Sequence, residues 1–165
     1  MLSKTALLAT RALVILAKQS PGQVMSPRRI ASYLNESPAY LAKVLRLLVR
    51  AGILRAERGV AGGVFLSRSS HEITLLQIVE ACQGIIHGDY CQQLHDSDVV
   101  CAFHQASVEL EQAVVGVLGR WRLADLEQRP SPIRPLPLTT QCRMFPAPIA
   151  IQPKQDKPFG PETTT

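Results

Sequence analysis

The segment Glu57–Leu66, E-R-G-V-A-G-G-V-F-L, places one arginine and three glycines between two short apolar runs. Gly59, Gly62 and Gly63 allow positive φ, or a close approach of backbone where a Cβ could not go. The segment therefore reads as two strands joined by a turn. Arg58 stands at the mouth of that turn, where a guanidinium can lie along phosphates or enter a narrow minor groove. Alone, this would be an ordinary surface hairpin. Two short helices precede it directly, and a hairpin with an arginine tip in that position is the wing of a winged-helix DNA-binding domain.

The two helices carry the same start signal. Ser26-Pro27 and Ser37-Pro38 each put an N-cap serine before a proline at the first helical position. The first helix of the pair is predicted to reach Leu34. The second runs through Y-L-A-K-V-L-R-L-L-V-R to Ala51, with Gly52 capping its C-terminus. Only Asn35-Glu36 separates them, which is a helix-turn-helix arrangement. Leu41, Val44, Leu45 and Leu48 form the buried face of the second, and Tyr40, Lys43, Arg46 and Arg50 fall largely on the other. Upstream, residues 4–18 predict a helix with leucines and alanines inward and Lys4, Arg11 and Lys18 outward, broken by Pro21-Gly22. Ile53–Glu57 and Val64–Ser67 are the expected wing strands.

Beyond the wing, Ile73–Gly84 predicts a short amphipathic helix with Thr74 as N-cap. An irregular stretch, 85–101, holds two of the four cysteines. A long helix is expected over roughly 102–126, where Phe103, Ala106, Leu110, Val114, Val117 and Trp121 recur every three or four residues, the seam pattern of paired helices. From Pro130 onward lie nine of the twelve prolines and no periodicity, the composition of a disordered tail. The fold class expected is mainly α with a small β-hairpin. Residues 1–84 form the winged helix-turn-helix domain, 85–129 a cysteine/histidine loop and dimerisation helix, and 130–165 the tail.

Charge follows the same division. Residues 1–72 hold 11 of the 18 Lys+Arg and 3 of the 13 Asp+Glu, whereas 73–129 hold 3 and 8. A basic half beside an acidic half suits a polyanion partner for the first and another task for the second. Lys4, Arg11 and Lys18 interrupt the apolar N-terminus and no cleavage site follows, so no signal peptide is expected. No apolar run approaches the roughly 18 residues of a membrane span. The expectation is a cytoplasmic protein, in which Cys82, Cys91, Cys101 and Cys142 are free thiols or metal ligands. A phosphate-cradling loop, a nucleophile–base arrangement and paired carboxylates are all missing from the sequence, so an enzyme is disfavoured.

The second helix of a helix-turn-helix enters the major groove by its first turn. Here that turn is Ser37, Pro38, Ala39, Tyr40 and Lys43. Ser37 and Tyr40 can donate to phosphates or base edges, Lys43 can reach guanine acceptors or the backbone, and Ala39 can touch a thymine methyl. Ser26, Arg28 and Arg29 are placed for phosphate contacts that fix register. For Arg46 and Arg50 a solvated helix face is an equal alternative. A winged helix that binds RNA or protein is a rival reading, separated by the steep salt dependence that duplex binding brings.

The segments A-T-R-A-L-V-I-L-A, R-R-I-A-S-Y-L-N, S-P-A-Y-L-A-K-V-L-R-L-L-V-R-A-G-I-L, R-G-V-A-G-G-V-F-L and H-E-I-T-L-L-Q-I-V-E together resemble the Rrf2 family of bacterial transcription regulators, the family of IscR, NsrR and CymR. The resemblance covers about residues 1–126, and its specific part is R-G-x-x-G-G-x-x-L following Y-L-x-K-x-L-x-x-L. It implies a homodimer on double-stranded operator DNA, without a membrane or a small-molecule substrate as partner. The long C-terminal helices of such dimers cross, which suits Phe103, Leu110, Val114, Val117 and Trp121. Ala39, Tyr40 and Lys43 match the groove-reading turn, and Arg58, with Gly59 beside it, matches the wing arginine.

Cys91-Gln-Gln-Leu-His95 and Cys101-Ala-Phe-His104 lie where many members of that family hold an iron–sulfur cluster. Cluster-binding members carry three cysteines in this loop, with a further ligand from the N-terminal helix or from C-x-x-H. This chain has Cys91 and Cys101 only, with His95 about where the middle cysteine would stand, and Ala-Leu-Leu-Ala at 6–9 offers no acidic ligand. Cys91, His95, Cys101 and His104 form a chemically sensible set for a 2Fe–2S cluster of mixed ligation, or for zinc. Such a regulator would sense redox, nitric oxide or iron–sulfur status. The alternative is a cluster-less member controlled by thiol oxidation, a small ligand or a partner protein. Cys82 is expected to pack on the inner face of its helix, Cys142 lies in the tail, and His71 and His87 read as surface residues.

Overall fold

The computed structural model describes residues 2–59, 62–86 and 101–127. Helices α1 (Lys4–Ala17), α2 (Pro27–Leu34) and α3 (Pro38–Arg50) are followed by strands β1 (Leu54–Glu57) and β2 (Gly63–Leu66). A 3₁₀ turn (Ser70–Glu72) then leads into α4 (Leu75–Gln83), α5 (Ala102–Arg120) and α6 (Leu123–Glu127). The fold is the expected one, mostly helical with one two-stranded antiparallel hairpin. The expectations for Cys91, His95, His87, Cys142 and the tail from Pro130 fall outside the described residues.

Helix α1 is the post around which the rest is built. Ser3 Oγ accepts from the Ala6 amide and starts it. Every residue from Leu8 to Leu16 except Arg11 is buried, so the helix is covered on nearly all sides. It packs against α3, α4 and α6. Leu13, Ile30, Leu41, Leu48, Ile53, Ile73 and Ile78 are fully buried in the same core. Lys4 and Lys18 point outward as expected, but Arg11 does not. Its guanidinium lies over the end of α2, donating to the Leu34 carbonyl (3.4 Å) and standing 3.9 Å from the Glu36 carboxylate. A cation over carbonyls left without a helical partner is favourable, and the helix dipole adds to it. The turn itself passes through Asn35, left-handed at φ 52°, a conformation asparagine tolerates better than most residues.

The wing is paired on both sides. Leu54 faces Leu66 and Glu57 faces Gly63 across the hairpin. On its other edge β2 exchanges two backbone hydrogen bonds with Met25, each 3.0 Å, between Val64 and Met25. A Cβ on Gly63 would collide with the Met25 carbonyl, so only glycine lets the strand come this close. The residue just before α2 thus forms a third, one-residue edge to the wing.

The long helix is shorter than the sequence predicts. Helix α5 ends at Arg120, and Trp121 is extended (φ −79°, ψ 130°). The chain then pairs with the start of α4: Leu75 donates to the Trp121 carbonyl and Leu123 to that of Ile73, both at 2.8 Å. Asp125 accepts from the Arg122 amide and starts α6. The break turns Leu123 into the common core, where it is wholly buried, with Ala124 beside it. Burying a leucine contributes about 1.5–3 kcal/mol, and the two hydrogen bonds to the start of α4 replace helical ones given up at the break. Residues 123–127 therefore pack with the winged helix. Leu123→Ala should lower stability by about 2–5 kcal/mol in chemical denaturation. A loss below about 1 kcal/mol would mean that α6 is not part of the core.

Candidate nucleic-acid interface

Three elements present their polar ends together: the start of α2, the outer face of α3 and the wing. Ser26 caps α2, its Oγ accepting from the Arg29 amide (3.3 Å), and its hydroxyl hydrogen remains for another acceptor. Arg28 is exposed. Arg29 is held along the helix by Tyr33, whose hydroxyl accepts from Nε (3.2 Å) and Nη2 (3.1 Å), with the guanidinium 5.7 Å from the ring centre. This arginine is preset in position.

The start of α3 differs from that of α2. Ser37 is its N-cap but its side chain makes no capping hydrogen bond, and the residue is exposed. Its hydroxyl is not committed to its own helix. Ala39, Lys43, Arg46 and Arg50 are all exposed. Their spacing of four, three and four places them in one stripe along α3. Tyr40, expected on that outward face, is turned inward. It is half-buried against the core, with its hydroxyl 3.0 Å from Thr5 Oγ1. An aromatic ring gains by burying its body while its hydroxyl finds a partner. Tyr40 thus pins the first turn of α3 to α1.

On the wing, Arg58 is exposed just past the end of β1, and Gly59 follows at φ 121°, a backbone conformation that favours glycine. Arg55 is exposed on β1 as well. Thr5 and Arg55 stand outside the sequence motifs, and Tyr33 lies within one without having been singled out. Only Arg55 has a local signal, since strand alternation in L-R-A-E turns it away from the buried Leu54.

Of the cysteine/histidine segment, the described residues include the start of α5. Cys101 is the N-cap, exposed, and its Sγ accepts from the His104 amide at 3.4 Å. Among the described residues no group of three or more His, Cys, Asp or Glu is arranged to hold a metal ion. Thiolate and imidazole on one helical turn suit a soft or borderline metal. Cys82 is different. Burial pushes its thiol up to about 11, so it stays protonated at neutral pH and is poorly suited to ligation or nucleophilic attack.

Most of the outer surface of α5 is apolar and uncovered. Phe103 is 67 % exposed, Leu110 66 %, Val117 47 % and Trp121 46 %. Phe103, Leu110 and Val117 recur every seven residues, a coiled-coil seam. Val114 is set apart from them, half-buried against the small cluster of Ala6, Val79 and Leu118 beneath the helix. Among the described residues the other large exposed hydrophobics are Leu2 and Ile85, beside the ends of α1 and α4. The exposed faces of α2 and α3 contribute none.

The model of the Rrf2 family, described as an iron-dependent transcriptional regulator, matches residues 2–129. The HTH-type transcriptional regulator YffB of Lactococcus lactis is 30% identical over 122 residues, 69% of this chain and 78% of YffB. Among solved structures, CymR, the global cysteine regulator of B. subtilis, is similar with a TM-score of 0.63 and 26% identity, over 77% of this chain and 95% of CymR. IscR of T. potens shares the fold, with a TM-score of 0.62 and 21% identity over 76% of this chain and 85% of that one. No helix among the described residues is long and apolar enough to cross a membrane. With its helix-turn-helix, its wing and the family match across them, the chain belongs to the Rrf2 family of DNA-binding transcriptional regulators, which are not enzymes.

Proposed function

We propose that the protein is a cytoplasmic homodimer that binds a near-palindromic operator, with two α3 helices in successive major grooves and two wings at the flanking minor grooves. The observation that carries this reading is the pairing of two surfaces on one chain. One is a basic stripe on α3 together with the exposed Arg58 of the wing, and the other is an uncovered heptad seam on α5. Three large apolar side chains in a row at heptad spacing are strongly favoured to be covered in water. A second copy of the same helix covers them symmetrically, as an isologous interface requires. Leu110→Glu should convert the dimer to monomer in analytical ultracentrifugation with the helical content kept. A dimer unaffected by that change would place the contact elsewhere.

Within the reading surface, Ser37, Ala39 and Lys43 supply the groove contacts. Ser26, Arg28 and Arg29 supply phosphate contacts, and Arg58 with Gly59 supplies the wing contact. Arg58→Ala is expected to weaken binding to an operator selected from a randomised library by about 1–3 kcal/mol. Lys43→Ala should additionally change which bases are selected. Unchanged affinity in both variants would move the recognition surface away from α3 and the wing.

For the signal, we infer that Cys91, His95, Cys101 and His104 hold a 2Fe–2S cluster. Support comes from the donor chemistry and from the juxtaposition of Cys101 and His104 on the first turn of α5. When bound, the group supplies electron transfer and reactivity towards oxidants or nitric oxide. The residues' part is to tie the segment before α5 to the helix that carries the dimer seam. A change in that tie acts on DNA only through a difference in affinity between the two arrangements. Anaerobically purified protein should show the visible absorption of an iron–sulfur cluster with matching iron and acid-labile sulfide, all lost in Cys101→Ala. A colourless, iron-free dimer that binds its operator would instead favour control by oxidation of the exposed Cys101 thiol, and stoichiometric zinc would favour a structural ion.

A further inference from the structure

A cleft of about 610 Å³ lies between α3 and the wing. Small residues line both of its sides. Ala42 on α3 and Ala56 on β1 leave a gap that larger side chains would fill, and Val49 and Val64 extend its apolar walls. Along α3 the lining runs from Ala42 to Val49, roughly 10 Å, so the cleft is a groove beside the helix. Lys43, Arg46 and Arg50 line it as well, and none of the described lining residues is acidic. Arg46 donates from Nε to the Ala42 carbonyl one turn back (3.3 Å), a bond that does not use the paired Nη groups with which an arginine grips a carboxylate.

We propose that this groove is an effector site for a free medium-chain carboxylate, its chain against the alanine and valine walls and its head on Arg46 and Arg50. Small-ligand sites are clefts of about 300–1,000 Å³, mostly apolar, with a few polar groups that set orientation. The groove has that size and that make-up. Arg46 and Arg50 are one helical turn apart and can share one carboxylate. A neutral apolar molecule would leave the cations unused, and a small polar anion would leave the walls in water. An elongated groove suits an extended chain better than a compact ring. Lys43 lines the same groove, so the occupant competes with DNA for that lysine, and the loaded protein releases its duplex. That release rests on the DNA-binding reading, whereas binding of the carboxylate does not.

The test is isothermal titration calorimetry of the full-length protein with octanoate and with octanol, its neutral counterpart. Fluorescence anisotropy of a labelled mixed-sequence duplex is then measured at increasing octanoate. Octanoate should saturate at one per chain, and octanol should bind at least about tenfold more weakly, for want of a charge-assisted hydrogen bond. Arg46→Gln should bring octanoate down to the level of octanol. Ala56→Phe, at an exposed strand position, should fill the groove and abolish octanoate binding. That variant should keep the circular dichroism and duplex binding of the parent, and octanoate should no longer release its duplex. Failure of octanoate to saturate the parent, or parent-like octanoate binding by either folded variant, would overturn the site. Saturable binding that leaves duplex affinity unchanged would overturn the competition. A parent that binds octanoate but no duplex would overturn the DNA-binding reading and leave the site standing.

Discussion

Two backbone hydrogen bonds, between Met25 and Val64, fix the position of the wing against the helix-turn-helix. They join the wing to the residue that precedes α2, so the hairpin cannot swing independently of the helix-turn-helix. Ser26, the cap of α2, is the next residue along, which ties the start of that helix to the same strand. All of this requires the backbone of Gly63 to lie against that of Met25, a distance that any side chain would forbid.

A second set of constraints radiates from α1. Arg11 holds the turn between α2 and α3, and Thr5 meets the Tyr40 hydroxyl at the first turn of α3. On the opposite side the Ser3 amide donates to the Gln83 side chain at the end of α4 (3.1 Å). The start of α3 and the end of α4 are thus attached to the same end of α1. These ties are single hydrogen bonds, each worth about 0.5–1.5 kcal/mol. That is of the same order as a typical allosteric coupling of 1–3 kcal/mol.

The parts legible in the sequence are those written locally. Ser-Pro starts, the Asn35-Glu36 turn, the leucine faces and the glycine-rich hairpin all specify structure within a few residues, and these elements appear within one or two residues of their expected ends. The readings that changed depend on distant partners. Arg11 looks like an outward charge until the end of α2 is beside it. Tyr40 looks like a donor on an exposed face until Thr5, thirty-five positions earlier, takes its hydroxyl. Val114 fits the heptad spacing but settles against Ala6 and Val79. The periodicity from 102 to 126 continues through Trp121, yet pairing with the start of α4 ends the helix there. No local propensity records such a competition. At the candidate interface the exposure of Arg28, Ala39 and Lys43 follows from helix phase, whereas Ser26, Ser37 and Arg58 are exposed at caps and a turn, which their local sequence signals mark.

The burial of Leu123 bears on how the two ends of the molecule communicate. A helix joined to a domain by a slack linker transmits only its position. Here the chain leaving α5 is sewn to the start of α4 and its next side chain sits in the same core as Ile73 and Leu41. Turning α5 against α4 would therefore have to break these hydrogen bonds or disturb the packing around Leu123. The same feature sets the smallest unit that can be exchanged between relatives. A chimaera that borrows the head but ends it before α6 would leave a leucine-sized hole at its centre.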